Sequence, residues 1–240
     1  MAADIIYVEK KMVIKGLQKL TLLDFPDRVA CTVFLGGCNL RCPFCHNASL
    51  VLPGRDNATV SEDEFFGHLE ARRGRITGVC VSGGEPTLQS GLVDFISKIK
   101  AMGFAVKLDT NGTRPGVLVE LLSAGLLDYV AMDIKNSRES YGVTVGIADF
   151  DITPIEESLR LLRESGIDYE LRTTLARELH STDDIRSIGE WLRGEKKYYL
   201  QTFIDSGDII GSDLSAYSRE ESEALLALLR EYIPAAELRG

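Results

Sequence analysis

Val29-Ala30-Cys31-Thr32-Val33-Phe34-Leu35 leads directly into Gly36-Gly37-Cys38-Asn39-Leu40-Arg41-Cys42-Pro43-Phe44-Cys45. The first seven residues form an apolar, strand-like run, and the loop after them carries three cysteines spaced C-x3-C-x2-C. Three thiolates can hold three irons of a four-iron, four-sulfur cluster and leave the fourth iron open to a small molecule; clusters that only carry electrons usually take four. The alternative is a structural zinc site. Its tetrahedron needs a fourth ligand and usually a pair of C-x2-C knuckles. His46 adjoins Cys45, and adjacent side chains diverge; Cys31 and Cys80 are not spaced as a second knuckle.

The pattern of an apolar run closed by an unusual polar cluster recurs along the chain. Strands are predicted over 29–35, 76–81, 105–108, 129–134, 169–173 and 198–203. Helical segments lie between them. Ser61-Glu62-Asp63-Glu64 reads as a capping box, in which the hydroxyl and Glu64 each satisfy an amide of the helix start, and Gly74 closes the segment. Thr153-Pro154-Ile155-Glu156 repeats the pattern with proline at the first helical position and Gly166 as the stop. Ile185, Ile188 and Leu192 mark a further face after Thr182, and helices are also expected over 92–102, 117–124 and 219–232. Such alternation argues for an α/β fold of βαβ units with parallel strands and right-handed crossovers. Eight units close a barrel, typically in about 250 residues. Six predict a partial (β/α)6 barrel open on one side, with a doubly wound open sheet as the alternative. The expected organisation is one domain: an extension over 1–28, a barrel core over 29–204 and a helical segment over 205–240.

Composition narrows the function classes. The 240 residues are 45% hydrophobic and 26% charged, enough for a full core. The first twenty residues mix Lys and Glu with short apolar runs, so neither a signal peptide nor a membrane span is expected. Five cysteines, three of them crowded together, do not suggest a disulfide framework. A reducing, anaerobic cytoplasm is expected. The net charge of -9 offers no general phosphate-binding field, which argues against nonspecific nucleic-acid binding.

On the predicted frame, the polar clusters all fall at the carboxyl ends of strands. The cysteine loop follows the first strand, Ser82-Gly83-Gly84-Glu85-Pro86 the second and Asp109-Thr110-Asn111-Gly112 the third. Asp133 and Lys135 end the fourth, Arg172 and Thr173 the fifth, Gln201 and Phe203 the sixth. Parallel barrels build their active sites on that face. Singly, each cluster has a structural reading: a turn at Gly83-Gly84, turn residues at Asp109 and Asn111, an ion pair between Asp133 and Lys135. Together on one face they favour a site.

Cys38, Cys42 and Cys45, with Phe44 before the last cysteine and Gly83-Gly84-Glu85 after the next strand, resemble the radical S-adenosylmethionine (SAM) enzymes. A narrower likeness runs through Gly36-Gly37-Cys38, Cys45-His46-Asn47, Asp109-Thr110-Asn111-Gly112 and Met132-Asp133-Ile134-Lys135, which look like the glycyl-radical-enzyme activating enzymes, the group of pyruvate formate-lyase activase. Within it, Gly16-Leu17-Gln18-Lys19 through Leu23-Asp24-Phe25-Pro26 is similar to the anaerobic ribonucleoside-triphosphate reductase activating branch. The resemblance implies one 4Fe-4S cluster on Cys38, Cys42 and Cys45 and SAM on its open iron. One-electron cleavage of the sulfonium would give methionine and a 5'-deoxyadenosyl radical, which takes an alpha hydrogen from a glycine of a partner glycyl radical enzyme. By the same resemblance, Gly83, Gly84 and Glu85 meet the SAM amino group, Phe44 and Asn47 lie near the adenosine, and Asp133 and Lys135 address the ribose and carboxylate region. Asp109 and Asp133 share a monovalent cation, while Asp24, His46 and Arg172 approach the partner's loop. Flavodoxin or ferredoxin is the implied electron donor.

Two departures matter. Relatives place a SAM-contacting histidine after the sixth strand, where Phe203 stands here, so an apolar contact is expected instead. Auxiliary clusters generally take four thiolates each, and only Cys31 and Cys80 remain; both read as core residues of strands. The alternatives are a radical SAM enzyme acting on a small molecule, such as a 7-carboxy-7-deazaguanine synthase, and a non-catalytic iron-sulfur or zinc protein.

Overall fold

The apolar runs form the centre of one sheet. A computed structural model describes residues 12–52 and 59–240; the first eleven residues of the expected extension lie outside the described residues. Eight strands hydrogen-bond in sequence order, β1 (Ile14–Thr21), β2 (Ala30–Leu35), β3 (Gly78–Gly83), β4 (Ala105–Thr110), β5 (Tyr129–Asp133), β6 (Asp168–Leu175), β7 (Tyr198–Thr202) and β8 (Ala236–Arg239). From β2 to β8 every neighbouring pair is parallel. Four consecutive buried residues begin β2, β3, β4 and β5, as a sheet covered on both faces requires. The six strands predicted from the sequence are β2 to β7, wound as a partial parallel barrel.

The outer two strands were not predicted. β1 runs antiparallel to β2 with irregular register, and only Ile14 and Thr21 of its eight residues are buried. Its lysines interrupt any apolar run, a common composition for an edge strand. β8 is four residues long and lies in the stretch expected to be helical; the Arg239 Nη1 group bonds to Glu170 Oε1 on β6 at 2.9 Å. Among the described residues β1 and β8 do not pair, so the barrel stays open between them.

Helices cover the outer face. The longer ones are α2 (Glu62–Ala71), α3 (Leu92–Ala101), α4 (Pro115–Ser123), α6 (Thr153–Ser165), α7 (Thr182–Trp191) and α8 (Arg219–Arg230); α1 (Ala48–Val51) and α5 (Tyr141–Val145) are single turns. Each long helix turns an apolar stripe inward, such as Leu92, Phe95, Ile96 and Ile99 on α3, where Phe95 stacks on Phe65 of α2 with ring centroids 5.1 Å apart. Ser61 caps α2 by accepting from the Glu64 N–H. The reciprocal boxes form elsewhere, at Ser181 with Asp184 and at Ser218 with Glu221. Thr153 is not a cap: it is the first residue of α6, and the Asp151 carboxylate accepts its N–H instead.

Candidate active site

At the carboxyl ends of the strands lies a cavity of about 410 Å³, the size of a small-molecule site. Cys38, Cys42, Phe44, Cys45, His46 and Asn47 reach it from the loop after β2, Gly83 and Gly84 from β3, Asp109 and Asn111 from β4, Asp133 and Lys135 from β5, and Arg172 from β6. Asp24 reaches it from the loop after β1, where its carboxylate accepts from the Thr32 hydroxyl on β2. Residues 148 positions apart in the chain thus share one wall, because parallel winding stacks successive strand ends side by side.

Close backbone contact explains the two glycines. Gly84 N–H donates to Leu35 O and Glu85 N–H to Gly37 O, each at 2.8 Å, stitching the end of β3 to the start of the cysteine loop. A Cβ on Gly84 would stand 2.0 Å from Gly37 O; one on Gly83, at φ 121°, would stand 2.3 Å from Leu35 O.

Glu85 lies behind the cavity wall. It is fully buried and does not line the cavity. Its carboxylate accepts from Thr87 N–H (3.0 Å) and the Thr87 hydroxyl (2.5 Å), from the Thr110 hydroxyl (2.8 Å) and from Asn111 N–H (2.6 Å). Burial raises its pKa, and those four donors offset part of that cost. Glu85 therefore ties β3 to the end of β4 through its side chain.

A charged network forms the floor of the cavity. Arg172 Nε donates to Asp133 Oδ1 at 2.9 Å and Arg172 Nη1 lies 3.6 Å from Asp109 Oδ2, so one guanidinium bridges the two carboxylates. Lys135 Nζ meets Asp133 Oδ2 at 2.9 Å and lies 5.8 Å from the centre of the Phe44 ring. Burial opposes ionisation of Asp133, but Arg172 and Lys135 outweigh it and hold the carboxyl well below the usual range. Asp109 is likewise pulled down against burial, by Lys107 and Arg172. Arg172 places one positive charge between these carboxylates. His46 lines the cavity but is exposed at its edge, and partial desolvation and then the charge of Lys135 lower its pKa.

Some participants have no counterpart in the sequence reading. Lys107 on β4 is 2% exposed, pairs with Asp109 and points Nζ at Cys80 Sγ at 3.9 Å. A lysine inside a buried run, two residues before an aspartate on the same face of the strand, was the signal. Cys80 therefore faces a buried ammonium, whereas Cys31 lies in the apolar core as expected. His180 was also missed: it is buried, its Nε2 lies 2.8 Å from Lys135 O, and it fixes the backbone that carries Lys135. Phe203 is buried in the core and does not line the cavity; Gln201, two residues earlier, does.

The cysteines fit a cluster. Burial pushes the Cys42 thiol up to about 12 and raises Cys38 as well, so metal must displace their protons. Donors already aim at Cys38 Sγ, from Leu40 N–H at 3.4 Å and Asn111 Nδ2 at 3.8 Å, an arrangement that suits a thiolate. Among the described residues no three His, Cys, Asp or Glu side chains converge as a single-ion site would require, whereas a four-iron cluster takes each thiolate on a separate iron.

Known proteins align with this geometry. The family model of the radical SAM superfamily matches residues 32–191. A protein of Methanocaldococcus jannaschii named as a glycyl-radical enzyme activating enzyme is 32% identical over 197 residues, covering 80% of each chain. The 7-carboxy-7-deazaguanine synthase of Koribacter versatilis is 29% identical over 160 residues, 65% of this chain and 66% of that one. Among solved structures, a domain of pyruvate-formate lyase-activating enzyme from Bacteroides vulgatus superposes with a TM-score of 0.56 at 19% identity, covering 68% of this chain and 99% of that one. The chain belongs to the radical SAM superfamily, and within it is similar to the glycyl-radical enzyme activating enzymes.

Proposed function

We propose that this enzyme installs a glycyl radical on a protein partner. The observation that carries the reading is the match to the Methanocaldococcus protein, which covers 80% of both chains and exceeds the deazaguanine synthase match in identity and extent. A reduced 4Fe-4S cluster with SAM supplies, when bound, a one-electron cleavage that yields methionine and a hydrogen-abstracting 5'-deoxyadenosyl radical.

The chain's own residues bind, orient and shield. Cys38, Cys42 and Cys45 hold the cluster. Gly83 and Gly84 present backbone at close range to SAM, Phe44 and Asn47 flank its adenosine, and Lys135 with Asp133 offers one cation and one anion to its polar groups. Glu85 acts through Thr110 and Asn111 as a brace. Asp109 keeps Arg172 in place, and Asp109 with Asp133 is where a monovalent cation would bind beside SAM. Asp24, His46 and Arg172 meet the partner's glycine loop. A flavodoxin or ferredoxin donates the electron, in an anaerobic cytoplasm; no described helix is long and apolar enough to cross a membrane.

The second reading is a small-molecule radical SAM enzyme of the 7-carboxy-7-deazaguanine synthase kind, favoured by the Koribacter match. One experiment separates them. The reconstituted, dithionite-reduced enzyme is given SAM with and without a glycyl radical enzyme, and 5'-deoxyadenosine is followed beside electron paramagnetic resonance. A glycyl doublet that appears only with the partner is expected. Deoxyadenosine formed with no doublet on any glycyl radical enzyme tested, and consumption of a small-molecule substrate instead, would favour the second reading.

A further inference from the structure

We propose that Asn111 is a positioning residue of the cysteine site, whose side-chain amide donates to Cys38 Sγ and sets how readily the group held there accepts an electron. The inference rests on the reading of Cys38, Cys42 and Cys45 as cluster ligands.

The orientation of that amide is fixed by its neighbours. Asn111 is 5% exposed, and its Oδ1 accepts from Thr113 N–H at 3.0 Å and from the Thr113 hydroxyl at 2.7 Å. The Thr113 backbone N–H is a donor that cannot turn, so it requires an oxygen at that end of the amide, and the Thr113 hydroxyl in turn accepts from Asn39 Nδ2 at 2.9 Å. Asn111 Nδ2 closes the ring by donating to Asn39 Oδ1 at 3.0 Å, and its other hydrogen is left for Cys38 Sγ at 3.8 Å. A flipped amide would set its NH2 against the Thr113 backbone N–H and its oxygen against sulfur, so hydrogen-bond accounting favours one orientation. The backbone is pinned too, by the 2.6 Å bond from Asn111 N–H to Glu85 Oε2.

The consequence is electrostatic. An N–H dipole aimed at a ligating sulfur stabilises the negative charge that arrives on reduction, and hydrogen bonds to sulfur are among the factors that set cluster potentials. Removing the donor makes the cluster harder to reduce.

The test is potentiometry on anaerobically reconstituted protein, with iron and sulfide content measured on every sample. Asn111→Ala is expected to keep the parent's iron and sulfide while its one-electron reduction equilibrium falls about tenfold, which is ~59 mV. Asn111→Asp, which turns an anionic oxygen toward the sulfur, is expected to fall further. Asn39→Ala removes the ring partner but leaves the Thr113 N–H holding Asn111 Oδ1, so the donor stays in place and the potential is expected to stay near the parent. Asn111 variants with full clusters and the parent's potential overturn the proposal. If both variants lose the cluster, pulsed electron paramagnetic resonance on reduced parent protein, labelled with 15N at asparagine side chains, decides instead. A 15N coupling that persists in Asn39→Ala and Asn47→Ala supports Asn111, and its absence overturns it. A parent that assembles no four-iron cluster refutes the cysteine reading itself, and the iron and sulfide assay tells that failure apart.

Discussion

Glu85 shows how far a residue's chemistry depends on which way it faces. Its place after Gly83-Gly84 suggested contact with a ligand, yet the carboxylate turns inward and collects four donors from Thr87, Thr110 and Asn111. Glu85→Ala should destabilise the fold by about 3 kcal/mol or more, since each buried donor left unpaired costs about 1–3 kcal/mol. Urea unfolding before and after the substitution measures it; a variant as stable as the parent but with weakened SAM affinity would restore the direct-contact role. Cys42 makes a simpler case. Cys42→Ala should leave the fold intact and fail to retain a four-iron cluster, read as iron and sulfide per chain. The cysteine spacing was legible because three soft ligands within eight residues have few other uses. The buried Lys107 was legible in principle, from a charge inside an apolar strand, but the direction of Glu85 had no local signal at all.

At the level of elements, the parallel strands and the helices between them followed from apolar runs and stop signals, because burial on both faces demands uninterrupted apolar sequence. The edges escaped for the opposite reason: β1 and β8 are half solvated, and their lysines, glutamate and arginine are compatible with loop or helix. The join between β3 and the cysteine loop gives the sharpest test. Gly84→Ala places a Cβ 2.0 Å from a backbone oxygen of Gly37, a contact that only backbone movement can relieve. A cost of about 1–3 kcal/mol is expected, with a lowered yield of assembled cluster; full assembly at parental stability would show that the stitch is not required. On the opposite flank, Ser218→Ala removes the cap of α8 and should cost about 1 kcal/mol with no change in cluster content.

For the molecule as a whole, charge and pH connect stability to the site. The folded pKa values of Asp109 and Asp133 lie below their unfolded values near 3.9, so the folded state binds fewer protons. Their stabilisation is fully present above about pH 4 to 5 and is lost as pH falls toward the depressed folded values. Asp133→Asn, which leaves Lys135 and Arg172 without their shared carboxylate, should be less stable than the parent by about 3 kcal/mol at pH 7. The gap should narrow by pH 3, and denaturant unfolding at the two pH values checks it; a gap of constant size would mean that the network contributes nothing through charge. The sequence by itself determined the three-cysteine spacing, the order of the six central parallel strands and the strand ends at which the polar clusters gather, because residue spacing and hydrophobic periodicity are local properties of a chain. Only the tertiary structure decided that Arg172 bridges Asp109 and Asp133, that Glu85 is a brace and that Asn111 faces Cys38. Those are contacts between strands dozens of residues apart, and their geometry exists only once the sheet has brought the strand ends together.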